Sequence, residues 1–160
     1  MQNVRLKSIF SLVVVFIVIL FDYYTKQYTL AIDQNFVLNS FITIHKINNF
    51  GIAFGLFDDL NITGFLVLNI LIIFILIFIA KELYYNLNMS LYYITGYSLI
   101  LGGGISNLID RFDNGSVTDF IILHYEDIYF PAVFNIADLS ISLGAIYILF
   151  YFLRNDQKNN

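Results

Sequence analysis

Cysteine is absent from the 160-residue chain, which has only two histidines. The missing cysteine excludes disulfides, thiol catalysis and Cys-ligated metal. Two histidines leave no His cluster for zinc or for a His-based charge relay. Charge is scarce as well: 12% of residues are charged against 59% hydrophobic, and the mean hydropathy is +0.75. A soluble domain carries about 25% charged residues. There is too little charge here to coat a water-facing surface, so the composition points to a membrane. Any chemistry falls to carboxylates, amides, hydroxyls and a few cations.

The uncharged runs locate the membrane segments. Runs 60–80 and 83–109 hold 21 and 27 residues, each long enough for a hydrocarbon core of about 30 Å. Runs 8–21 and 139–153 hold only 14 and 15, short of the ~20 residues a helix needs to cross. They become spans only if Asp22 and Asp138 are carried into the membrane or its interface. The first run follows Arg5 and Lys7 and also reads as a secretory signal, but no small-x-small cleavage site follows it, which favours a retained helix. The expected fold is an all-α integral membrane protein with four transmembrane helices, near 8–28, 61–80, 89–109 and 132–153 of a single 1–160 domain.

Lys/Arg bias sets the orientation. The side holding both termini and the short 2–3 turn has Arg5, Lys7, Lys81, Arg154 and Lys158 against two acids, a balance of +3; the other side has three cations against ten acids, a balance of −7. The termini are therefore expected in the cytoplasm, with the acidic face outside. Both outer connections exceed the ~12–15 residues of ordinary loops, as functional connections often do. In the first, Val37, Phe41, Thr43 and Ile44 alternate in part and predict a small extracytoplasmic β-containing loop between helices 1 and 2. Residues 49–57 read as an amphiphilic, glycine-broken segment on the membrane surface, with Gly51 and Gly55 as hinges of a lid.

Charges inside a bilayer are costly and mark functional sites by default. Asp22 and Lys26 share a helix face at i, i+4, and so do Asn107, Asp110 and Arg111 at i, i+3, i+4. Asn135 and Asp138 fall at i, i+3 in a fourth helix that Pro131 is expected to open, beginning near Ala132. All three clusters lie at the outer leaflet, and one shared pocket explains them economically. Each also has a plainer reading. Asp22–Lys26 fits an interfacial ion pair with Lys26 snorkelling outward, Asp110–Arg111 a structural pair, and Asn107 an interhelical cross-link. The Gly102-Gly103-Gly104 run lacks the lysine of a phosphate loop and fits close helix packing. His45 and His124 read as isolated loop residues.

Asp119 and Asp138 resist the plainer reading. Each lies among apolar residues, in Val117-Thr118-Asp119-Phe120 and Ile136-Ala137-Asp138-Leu139, with no adjacent cation. Two carboxylates brought together at low dielectric share a proton. Such a pair can deprotonate a water while its protonated member polarises a carbonyl, which is acid–base peptide hydrolysis. The alternative is a small ion-coupled transporter or channel subunit, which also needs intramembrane Asp and Asn but along a path through the whole bilayer. A non-enzymatic scaffold would need no paired carboxylates.

The ordered motifs Asp22-x-x-Thr25-Lys26, Asn49-x-Gly51-x-Ala53-Phe54, Gly102-Gly103-x-x-x-Asn107-x-x-Asp110-Arg111, Val117-x-Asp119-Phe120 and Phe134-Asn135-x-Ala137-Asp138 resemble the lipoprotein signal peptidases (signal peptidase II). They run through nearly the whole chain. The resemblance implies an aspartic endopeptidase of the bacterial cytoplasmic (inner) membrane, active at its extracytoplasmic face. Its substrates would be diacylglyceryl-modified prolipoproteins, cut just before the lipidated cysteine. Asp119 and Asp138 would be catalytic. Asn49, Gly51, Asn107, Arg111 and Asn135 would form the substrate pocket, with Asp22 and Lys26 supporting it and Asp110 orienting Arg111. It implies no cofactor and no metal, prolipoprotein signal peptides and membrane lipids as partners, no nucleic acid, and a monomer. The chain departs from the family's usual pattern with Ser106 where a glycine is common, Tyr23 where a glutamine is, and no tryptophan near the fourth helix.

Overall fold

A computed structural model describes residues 2–31, 35–51 and 61–159. Most of the expected lid segment, from residue 52 onward, lies outside these described residues. In chain order the elements are α1 (Gln2–Ala31), β1 (Phe36–Asn39), β2 (Ile42–Asn49), α2 (Ile62–Tyr85), α3 (Leu91–Asn114), β3 (Val117–Tyr125), β4 (Ile128–Phe134) and α4 (Ile136–Asn159). Helices α1, α2 and α4 are long and apolar enough to cross a membrane. Their outward faces fit a lipid environment: Leu12, Phe16, Phe74 and Phe78 are each at least 60% exposed, where a soluble protein would carry charge.

Helix α3 is the centre of the bundle and packs against each of the other three helices. Glycine makes this possible. A Cβ on Gly102 would stand 2.9 Å from the Cβ of Val18 in α1, and one on Gly96 would stand 2.8 Å from the carbonyl oxygen of Gly144 in α4. These are the close approaches that small residues permit between membrane helices. Local signals bound the helices. Asn61 caps α2 by accepting from the Gly64 N–H at 2.9 Å, and α3 stops at Gly115 in the left-handed region at φ 73°, a conformation that glycine adopts without strain.

Three sequence expectations are corrected here. The extramembrane β-structure is not confined to the connection between the first two helices: β1 and β2 join β3 and β4 in one antiparallel sheet of order β1-β2-β3-β4. The β3 segment hides its strand character because Val117–Phe120 are all buried, so the polar–apolar alternation of a half-exposed strand is missing. In addition, α4 begins at Ile136, and Pro131 belongs to β4. Proline is tolerated there because β4 is an edge strand. His45 and His124 likewise lie in strands β2 and β3 rather than in loops.

Candidate active site

The polar residues gather where the C-terminal halves of α1 and α3 and the N-terminus of α4 meet the sheet. Asn135 is the N-cap of α4. Its Oδ1 accepts the Asp138 N–H at 2.8 Å, while Asp138 Oδ2 accepts the Asn135 N–H at 3.1 Å. This is a reciprocal capping box, with Asp138 as its N3 acid. Asp138 thus stands in the first turn of α4, held by two backbone bonds at a helix end whose dipole favours negative charge.

Asp119 arrives from β3. Pairing of β2 with β3 sets Asn49 opposite Val117 and Ile47 opposite Asp119, which brings Asn49 Nδ2 to Asp119 Oδ2 at 2.9 Å. On the other side, Asn135 Nδ2 donates to Asp119 Oδ1 at 2.6 Å and to Asn107 Oδ1 at 3.1 Å. Asn107 Nδ2 in turn donates to Asp138 Oδ1 at 2.8 Å. Two amides therefore link the two carboxylates.

Beneath them lies a buried ionic layer. Lys26 is only 2% exposed, and its Nζ contacts Asp22 Oδ2 at 2.6 Å, Asp110 Oδ2 at 3.0 Å and Asn107 Oδ1 at 3.0 Å. It does not snorkel. Asp22, fully buried, accepts from the Ser106 hydroxyl at 2.7 Å and from the Ala137 N–H at 2.8 Å, so α1 grips the start of α4 next to Asp138. Ser106 thus adds a side-chain donor to Asp22. Asp110 and Arg111 diverge, because adjacent helical residues do not share a face. Asp110 Oδ2 takes Lys26 and the Thr118 N–H at 2.9 Å, whereas Arg111 Nη2 donates to the Gly51 carbonyl at 2.5 Å. The expectation that Asp110 orients Arg111 is replaced by one in which Asp110 anchors Lys26 and the start of β3. Thr118, which the sequence did not single out, joins the site through its backbone: its carbonyl also accepts from Asn135 at 3.4 Å. Only strand pairing could reveal it.

A cleft of about 490 Å³ opens over this layer, lined by Asn49, Asp119, Asp138 and Arg111 together with apolar Ile72, Phe134 and Ile141. Burial, together with the negative charge of Asp138, pushes the Asp119 carboxyl up to about 7, against the opposing hydrogen bonds from Asn49 and Asn135. The folded protein therefore holds a proton on Asp119 that the unfolded chain has released above about pH 4. The stability this contributes is fully present below that unfolded value and is lost as pH rises toward 7. The thermal midpoint in detergent should accordingly fall between pH 4.5 and 7, and Asp119→Asn, which cannot titrate, should flatten the decline. A slope identical in both proteins would contradict the assignment.

Fold and site together define a membrane protein with a carboxylate-and-amide centre at one end of its helices. Residues 14–154 match the family model described as Signal peptidase (SPase) II. Proteins named lipoprotein signal peptidase are similar along most of the chain. The one from Pelagibacter ubique is 35% identical, covering 100% of this chain and 98% of its own, and the one from Clostridium tetani is 34% identical, covering 91% and 94%. A bacterial membrane enzyme solved by the in meso method at 2.3 Å resolution superposes with a TM-score of 0.75 at 28% identity, covering 94% of this chain and 91% of that one. A second, at 1.9 Å resolution, gives 0.71 at 29% identity, covering 89% and 92%. The chain belongs to the signal peptidase II family.

Proposed function

We propose that this protein removes signal peptides from bacterial prolipoproteins, cutting just before a diacylglyceryl-modified cysteine, by acid–base hydrolysis on Asp119 and Asp138. The observation that carries the reading is the pair of carboxylates at the cleft, joined through Asn107 and Asn135. One ionised carboxylate takes a proton from water as it attacks the scissile carbonyl, and the protonated partner donates to the carbonyl oxygen. The proton gained by the first then passes to the departing amine. A raised Asp119 fits the protonated role near neutral pH; the two groups titrate as a pair.

In this reading α3 is the fourth span, both termini are cytoplasmic, and the site opens at the extracytoplasmic face of the inner membrane. The protein acts as a monomer amid lipids. A lipid-modified signal helix then reaches the cleft laterally through the bilayer, its acyl chains against the apolar wall. Asn107, Arg111 and Asn135 with Asn49 and Gly51 hold the peptide, and Asp22, Lys26 and Asp110 hold that set in place. Offering the purified protein lipidated and unmodified forms of one precursor tests the substrate. Cleavage of the lipidated form should exceed that of the other by at least about a hundredfold, a few kcal/mol of acyl-chain burial. Equal cleavage would overturn the assignment.

A further inference from the structure

Helix α2 turns almost only apolar residues toward the bundle, with one exception. Its buried residues are Asn69, Leu76 and Leu83, a stripe at seven-residue spacing that faces α3. Asn69 is 3% exposed, and its Nδ2 donates to the Phe65 carbonyl at 2.8 Å. That bond fixes the amide orientation and leaves Oδ1 over. Two buried side-chain atoms lack a hydrogen-bond partner among the described residues: Asn69 Oδ1 and Arg111 Nε. One is an acceptor and the other a donor.

Helix register argues that they are neighbours. The Leu76 side chain packs on Gly104, its Cγ 3.6 Å from where a Cβ would stand. Seven residues outward from that contact are Asn69 on α2 and Arg111 on α3. Seven residues advance each helix by about 10.5 Å and return it nearly to the same face. Because a short turn makes the two helices antiparallel, Asn69 and Arg111 reach one level. Ile72, one turn from Asn69 on the same face, lines the cleft, as do Gly104 and Arg111.

Orphaned buried polar atoms are rare in native proteins and call for a specific explanation. An extended peptide supplies the missing partners. The N–H and C=O of one residue in a strand point to the same edge, as in the hydrogen-bonded pairs of an antiparallel ladder. A substrate chain unwound for cleavage inside a bilayer must also have its own backbone groups satisfied.

We propose that Asn69 and Arg111 form a subsite for the backbone of one extended substrate residue, Asn69 Oδ1 accepting its N–H and Arg111 Nε donating to its C=O. This rests on the peptidase reading above. The new element is Asn69, a position outside every motif of the site.

Asn69→Leu tests it, because replacing a buried, half-satisfied amide by an apolar group of similar size is neutral or stabilising. The variant should melt at or above the wild-type temperature and yet show a KM for a lipidated synthetic precursor raised about tenfold, the scale of one lost buried hydrogen bond, with kcat little changed. A set of lipidated peptides, each with one backbone amide near the cleavage site replaced by an ester, identifies the donor. One ester should raise the wild-type KM about tenfold and have no further effect on Asn69→Leu. An unchanged KM in Asn69→Leu, the result expected if a water or nothing occupies the site, overturns the proposal while leaving the peptidase reading intact. Ester effects identical in the two proteins do the same. Failure of the wild type to cleave the all-amide lipidated peptide overturns both.

Discussion

Asp119→Asn and Asp138→Asn, made separately, are each expected to lower prolipoprotein processing by at least about 10³-fold, within the range general acid–base groups contribute. Neither amide can accept a proton from water or give one to a carbonyl oxygen. The two variants should differ in what else they lose. Asp119 receives Asn49 Nδ2 on one oxygen and Asn135 Nδ2 on the other, so one new donor will face an old one. Asp138 receives Asn107 Nδ2 on one oxygen and the Asn135 N–H on the other, so its amide keeps one of these bonds, and turning the oxygen toward Asn107 would give up half of a capping box, at a cost of about 1 kcal/mol. A gel-shift processing assay beside thermal unfolding separates the effects. Loss of turnover with a melting temperature within a few degrees of wild type supports the pair, and near-normal processing by either variant sinks it.

The second large effect is on stability. Lys26→Met should cost about 3–5 kcal/mol, because removing one partner of a buried ion pair strands the other. Asp22 would be left fully buried and Asp110, 16% exposed, without its cation. In the fraction that stays folded, turnover should be impaired rather than eliminated, since the bonds of Lys26 go to Asp22, Asp110 and Asn107, and Asn107 in turn bonds Asp138. Adding Asp22→Asn to Lys26→Met should recover much of the loss. The amide oxygen can still accept from the Ala137 N–H, and its NH₂ can meet the Ser106 hydroxyl as a donor. Unfolding of the single and double variants in detergent measures this. A double variant no more stable than Lys26→Met would mean the ionic layer is not held by that pair.

Much of the site was legible from local spacing. Asp22 with Lys26, and Asn107 with Asp110, fall at helical intervals that hold whatever the tertiary fold does, and the choice of Asp119 and Asp138 needed only their apolar flanks. The capping pattern Asn135-x-x-Asp138 was also present, but Pro131 drew the expected helix start four residues early. Where signals compete locally, packing decides: β4 pairs with β3 and takes the proline. The choice between a peptidase and an ion-coupled protein could not come from composition. It came from the ordered motifs and the family match.

By itself the sequence determined the membrane class, the scarcity of groups able to do chemistry, and the end of the helices where they sit. Those properties follow from apolar run length and from a helical period of 3.6 residues, both local. Only the tertiary structure decided that Asn49 reaches Asp119 across seventy residues of chain, that Lys26 is buried among three partners, and that Asp22 holds the start of α4. Each of these depends on strand register or on glycine-mediated helix approach, contacts between segments remote in sequence that no local period encodes.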